Sequence, residues 1–505
     1  MKTRDWARQG APCSALPVRA AGRVICFVLA LLFLSFISGC NSVHRIVPVG
    51  NFSNARLKGN YTYTVGGARV DVGLYQEKGT FIADGDGHIT AGVDDFKARG
   101  SSVVSQAFTG SYTIAADGTG TINVGIGNLQ VEWLVTIASD SQLYLVEFDL
   151  YGSGGGGARP QTVADFSKMP SGSFAFRTHN LSLNGSIAKV GSFSISPDGS
   201  LTGNADVLRG GALMSPAIAG AITAPDANGR GTLTLTEDTG IVSDYFYYVI
   251  DSSTLNLLQT DGNSLGEGRA EQRGSATFNG GGLQNAFVFH SGGDTPLNIS
   301  GASSVGVFTT DGNGVIRGGS LDSAQDGNPI SNAQITGTYS IDNQGRINIL
   351  LNPQGFDPIQ QVGWLVDSTR GFFLVNSSAR VEDGRFDQQQ ANSSGATSLS
   401  GAFGFYLSGY DSQSPPSVSR LGVVVFDGQQ TATFSDYYVN RSGMRTQKGG
   451  FSGTYSVEPN GRFTASVPGF SKGLIGYLIS PNVGYLLVGD DGAEESGRLE
   501  QPATP

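Results

Sequence analysis

After residue 40 the chain contains no cysteine: all three, Cys13, Cys26 and Cys40, fall within the first forty of its 505 residues. That excludes disulfides, a thiolate nucleophile and cysteine-based zinc or iron–sulfur sites from everything that follows. Charge is also sparse. Only 15% of residues are charged, the net charge is −10, and no lysine/arginine cluster occurs beyond the amino terminus. Nucleic acid and anionic lipid surfaces are therefore poor partners for the folded part. Only four histidines occur, His44, His88, His179 and His290. No GxSxG, HExxH, P-loop or dinucleotide fingerprint is present. His179 and His290 lie near the first strands of the second and third repeats without carboxylate neighbours in sequence, and read as surface residues. No catalytic residue, metal ligand or cofactor is assigned, and the chain reads as a non-enzyme.

Helical periodicity is missing as well after residue 40, whereas glycine is abundant, 74 in all. The strands it punctuates repeat. FTGSYTIAADGTGTINV, residues 108–124, returns at residues 218–235, 335–350 and 451–466. Its marker glycines Gly110, Gly220, Gly337 and Gly453 are 110, 117 and 116 residues apart, one domain's worth of chain each. Within it Phe108, Gly110, Tyr112 and Ile114 share one strand face and Thr109, Ser111 and Thr113 the other. Asp117-Gly118, Asn228-Gly229, Gln344-Gly345 and Asn460-Gly461 supply tight hairpin turns. About eight short strands per repeat predict four tandem antiparallel meanders, residues 57–161, 170–272, 283–389 and 399–501. Each closes most simply as an eight-stranded up-and-down barrel, with a propeller or a sandwich as the alternatives. In architecture alone this resembles the lipocalin and avidin barrels. The strands near residues 143–148, 245–250, 372–375 and 485–488 are apolar on both faces, which predicts that neighbouring repeats stack in a row.

The amino terminus is basic up to residue 23 and continues with the apolar run Val24–Phe36, then Ile37-Ser38-Gly39-Cys40. The run is short for a membrane span and suits a signal peptide. The four residues resemble the lipobox of bacterial lipoproteins. That resemblance implies a signal peptide at 1–39, cleavage between Gly39 and Cys40, palmitate and diacylglycerol on Cys40, and a tether over 40–56. With Asn41 next, it further implies anchoring in the outer membrane of a Gram-negative type bacterium, facing periplasm or exterior. The membrane is then a partner through Cys40, with a protein or glycan ligand left open.

Two motifs invite chemistry. Asp84-Gly85-Asp86-Gly87-His88 starts like a calcium loop, yet Ile89 stands where an EF-hand needs glycine and Asp95 where it needs glutamate. It reads as a hairpin turn. Trp133 and Trp364 occupy the same strand of repeats one and three and are expected in the core; the functional alternative is an aromatic ligand platform at a barrel mouth. The expected role is a lipid-anchored binding or structural scaffold of the envelope. The alternatives are a carrier of apolar small molecules inside the barrels, or a polysaccharide hydrolase, which needs two carboxylates about 5–10 Å apart.

Overall fold

The repeated strand Val104–Ile114 turns Phe108, Tyr112 and Ile114 inward and leaves Thr109, Ser111 and Thr113 exposed, because alternate side chains leave a strand on opposite faces. The same alternation runs through a computed structural model that describes residues 51–502 apart from 164–165, 167, 183–184, 263, 275–277, 279–282, 295–300, 326–327, 392, 394, 412–415 and 491–492. The signal segment, Gly39, Cys40 and His44 lie outside the described residues.

Four barrels follow one another at 58–160, 172–272, 284–388 and 400–500. In the first, eight antiparallel strands pair in sequence order from Lys58–Arg69 to Gly152–Pro160, and the last closes on the first. The third closes in the same way. The second and fourth add a short ninth strand, Ala212–Met214 and Met444–Lys448, each hung on the barrel's third strand without interrupting the eight-strand circuit.

Closure explains the marker glycine. A Cβ at Gly110, Gly220, Gly337 or Gly453 would lie 2.3, 1.8, 1.9 or 2.1 Å from the carbonyl oxygen of Asn123, Thr234, Leu350 or Ser466 on the next strand. What repeats is thus a close backbone approach that only glycine allows. Gly337→Ala is expected to cost about 1–3 kcal/mol by forcing these strands apart; urea denaturation followed by circular dichroism would measure it, and an unchanged midpoint would refute the explanation.

Aromatic side chains fill the barrel axes. Tyr63 lies against Phe81, Phe108 and Trp133 in the first. Phe176 meets Phe193 in the second, Phe289 meets Phe308 and Phe373 in the third, and Phe405 meets Phe434 and Tyr437 in the fourth. All are buried, each contributing roughly 2–3 kcal/mol of apolar burial.

The barrels do not stack in a row, as the doubly apolar strands suggested; they close into a ring. The first strands of each barrel pack on the last strands of the next, from one to two, two to three and three to four, and those of the fourth pack back on Leu129–Ser139, Gln142–Glu147 and Gly152–Pro160 of the first. Using one head-to-tail contact four times, with a rotation that closes, gives a ring by the same logic that closes cyclic oligomers. The outward faces of the doubly apolar strands supply these contacts. Val362, Trp364 and Leu374 meet Val190 and Leu208, Tyr477 and Leu487 meet Val305 and Val307, and Leu134 and Val146 meet Leu421.

Candidate functional site

A ring of four barrels leaves an axis, and that axis is lined by the first and closing strands of every barrel. Alternation sends Ala158, Ala270, Phe386 and Leu499 of the closing strands into the barrels and their sequence neighbours toward the centre. The result is a chamber of about 750 Å³ with walls from all four domains.

The walls differ in chemistry. Domains two and three contribute most of the charged groups, among them Arg177, His179, Glu267, Asp294 and Asp383; domains one and four contribute small or neutral groups such as Gly155, Ser408 and Ser496 together with Arg159, Glu494 and Arg498. His179 sits between two carboxylates of domain three, 2.8 Å from Asp294 and 2.8 Å from Asp383. Burial disfavours its charge, but the hydrogen bonds to Asp294 and then Asp383 outweigh burial and push its pKa up to about 10, so it is an imidazolium at neutral pH. Burial alone would raise Asp383; Arg177, whose Nη1 donates to it at 2.5 Å, and His179 hold it at about 2 instead. His290 lies 3.0 Å from the Ser496 hydroxyl and stacks on Tyr485. Burial, reinforced by Arg177, lowers it to about 4 and keeps it neutral. These two histidines are therefore not surface residues as expected: facing out of a barrel means facing the chamber once the ring is closed.

Toward one end, the closing strands bring arginines together. Judged by their pairing with the first strands, Arg269, Arg385 and Arg498 occupy one equivalent position, which in domain one is Gly157. Two residues on, those strands carry Glu271, Asp387 and Glu500, and each carboxylate accepts from its own strand's arginine at 2.6, 2.7 and 2.5 Å. Arg385 also donates to Glu271 across the domain boundary at 2.5 Å. Domain one departs from the pattern by placing Arg159 where the others have the acid.

The sequence-derived candidates fall elsewhere. Trp133 is 0% exposed inside barrel one and Trp364 is 2% exposed between domains two and three, its indole N–H donating to Asp206 at 2.9 Å. Neither offers the exposed ring that a stacking platform requires. They also face opposite ways, since Trp133 pairs with Ile122 whereas Trp364 pairs with Arg346, the residue equivalent to Thr119. Asp84 spends its oxygens on its own hairpin, accepting from the backbone N–H of Asp86 at 2.7 Å and of His88 at 3.0 Å, with the His88 ring 2.8 Å away. Among the described residues no group of three or more histidines, aspartates or glutamates is arranged to hold a metal ion. The chamber itself was missed because its residues are scattered over the whole chain. One signal was available: arginine recurs in GRAEQ, GRFDQ and GRLEQ on the face opposite the barrel-filling residue.

Neither a protein family nor a curated protein matches this chain. Among solved structures, a protein of unknown function from the DUF3598 family of Nostoc punctiforme PCC 73102 is 10% identical, with 43% of this chain and 94% of that chain covered at a TM-score of 0.14.

Proposed function

We propose that the chain is a non-enzymatic, lipid-anchored protein of the bacterial outer membrane whose four-barrel ring is a binding scaffold, with the axial chamber as the place where a small polar ligand sits. The observation that carries this reading is the contrast between full barrels and an open axis. The barrel interiors are occupied by aromatic rings, which leaves an apolar cargo little room. The chamber is roomy, polar and built from every domain. Its titratable groups favour binding over catalysis: His179 is locked as a cation and Asp383 as an anion, so neither is poised near neutral pH as a general acid or base. The hydrolase alternative needs one protonated carboxyl facing a groove. The carboxyls raised furthest, Glu77, Asp94 and Glu147, are sealed inside barrel one.

The anchor rests on Ile37-Ser38-Gly39-Cys40 after an apolar run. Palmitate labelling is expected to mark wild type and send it to the membrane fraction, and to fail in Cys40→Ala; a label that survives the substitution sinks this half. For the chamber, a thermal-shift screen of small polar compounds should find ligands that stabilise wild type and not Ser496→Trp, which fills the chamber wall. Equal shifts in both proteins would place the binding elsewhere.

A further inference from the structure

We infer that the arginine end of the chamber binds a small multivalent oxyanion, with carboxylate or phosphate oxygens taken by the guanidinium of Arg159 together with Arg269, Arg385 and Arg498. The inference deepens the chamber reading and rests on it.

The first observation is a charge reversal confined to one repeat. Where domains two, three and four hold an arginine and, two residues on, a carboxylate that neutralises it, domain one holds Gly157 and then Arg159. At these two register positions the four closing strands thus supply four guanidinium groups and three carboxylates. The second observation is that Arg159 is left without an ion-pair partner among the described residues. Its Nε donates to the Gln142 side chain at 2.8 Å, and its terminal nitrogens hold no hydrogen bond there. Repulsion from Arg269, then burial, then Arg498, outweigh the attraction of Glu500 and bring its pKa down to about 9. An enclosed guanidinium facing like charges is costly unless something neutralises it.

The third observation is access. Arg269, Arg385 and Arg498 keep between 21% and 34% of their side-chain surface open to the chamber solvent. Water reaches these groups, and so can a solute. Guanidinium matches the planar, two-oxygen edge of a carboxylate or phosphate, and several converging forks favour an anion carrying more than one such group.

Citrate and inorganic pyrophosphate serve as probes, titrated calorimetrically into the full chain in detergent. At least one is expected to bind saturably, more weakly as salt rises, and about tenfold or more weaker in Arg159→Glu. That variant restores the carboxylate found in the other three repeats, so it is expected to melt at or above the wild-type temperature, which an arginine kept only for structure would not allow. Arg317→Glu, at an arginine that is 68% exposed, should bind as wild type does. If Arg159→Glu does not fold, Arg159→Gln is compared in its place. Failure of both anions to bind below about 10 mM, or equal affinity in wild type and the Arg159 variant, overturns the inference. Neutral-compound shifts that persist alongside that failure leave the chamber reading standing. Anion binding abolished by Arg159→Glu yet untouched by Ser496→Trp overturns the chamber reading instead.

Discussion

Asp322→Ala is expected to destabilise the ring by about 3–5 kcal/mol. Asp322 is 0% exposed at the contact between domains three and four. Arg462 grips its carboxylate with two hydrogen bonds, Nε at 2.7 Å and Nη2 at 2.9 Å, and the Tyr477 hydroxyl donates to it at 2.6 Å. The desolvation of all three groups is offset only while the set is complete. Alanine would leave a buried guanidinium with Glu458 at 2.7 Å as its remaining carboxylate and a buried phenol with Ser320 at 3.0 Å. Asp322→Leu combined with Arg462→Met should recover most of the loss, since replacing a buried pair by apolar side chains is far cheaper than halving it. Denaturant midpoints of the single and double variants measure both effects. A single-variant loss below about 1 kcal/mol would mean that this contact does not hold the ring.

The same three-part contact recurs at two other boundaries. Asp95 accepts from Arg230 at 3.0 Å and from the Tyr248 hydroxyl between domains one and two. Asp206 accepts from Arg346 at 2.8 and 2.9 Å and from Trp364 between domains two and three. At each of these three boundaries a linker residue, Gln161, Arg273 or Gln389, also donates to carbonyls of the next domain. The fourth boundary is built differently. Domain one has Thr119 and Thr136 where the others have the arginine and its aromatic partner. Among the described residues no linker crosses here. Mostly neutral contacts close the ring instead: the Asn440 amide donates to the carbonyls of Glu147 and Gly152 at 2.8 and 2.7 Å, Ser153 meets Ser419 at 2.8 Å, and Tyr144 stacks on Tyr406, with a half-exposed ion pair of Arg445 and Glu132 at 3.6 Å beside them. This seam is where the ring is joined by non-covalent contact alone.

The barrels were legible because their determinants are local. Alternation around Tyr112, turn dipeptides such as Asn228-Gly229 and the glycine spacing each act within one hairpin. The ring was not legible, because it depends on what the outward faces meet. From sequence, Trp364 reads as a core residue and His179 as a surface one, and nothing local separates a face that meets water from one that meets another barrel. The pattern that did carry the information was the arginine following the turn glycine, Arg230, Arg346 and Arg462, together with Asp95, Asp206 and Asp322 on an earlier strand of the preceding repeat. Arg159 was hidden by its motif. GARPQ aligns with GRAEQ by its terminal glycine and glutamine, yet strand pairing places Gly157 opposite the position of Arg269, one residue out of step.

Raising the pH from about 5 to about 8.5 is expected to destabilise the protein by a few kcal/mol, opposite to the usual gain on leaving acid. The cause lies inside barrel one, where Glu77, Asp94 and Glu147 point inward near Tyr63, Tyr75 and Arg69. Tyr63 donates to Asp94 at 2.6 Å, Tyr75 donates to Glu147, and Arg69 lies 3.8 Å from Glu147. Burial, followed by the charge of Asp95, pushes Asp94 up to about 7 despite the Tyr63 hydrogen bond. Burial, followed by Asp149, pushes Glu147 up to about 8, and burial with Asp94 and Glu147 carries Glu77 well above the usual carboxylate range. An acid whose folded pKa exceeds its unfolded value keeps its proton longer in the native state. Its stabilising contribution is complete below the unfolded value near 4 and is lost as pH climbs through 7 to 8. His179 adds to the slope, because its folded pKa of about 10 lies above the unfolded value near 6.5, so its contribution is complete below 6.5 and fades above it. His290, depressed to about 4, opposes only between pH 4 and 6.5, where its neutral form must charge on unfolding. Urea midpoints at pH 5, 7 and 8.5 should therefore fall in that order. Asp94→Asn, which stays neutral and can still accept from Tyr63, should flatten the fall. A midpoint that rises with pH, or an Asp94→Asn profile as steep as wild type, would show that these carboxylates are ionised in the native barrel and that Arg69 and the two tyrosines satisfy them.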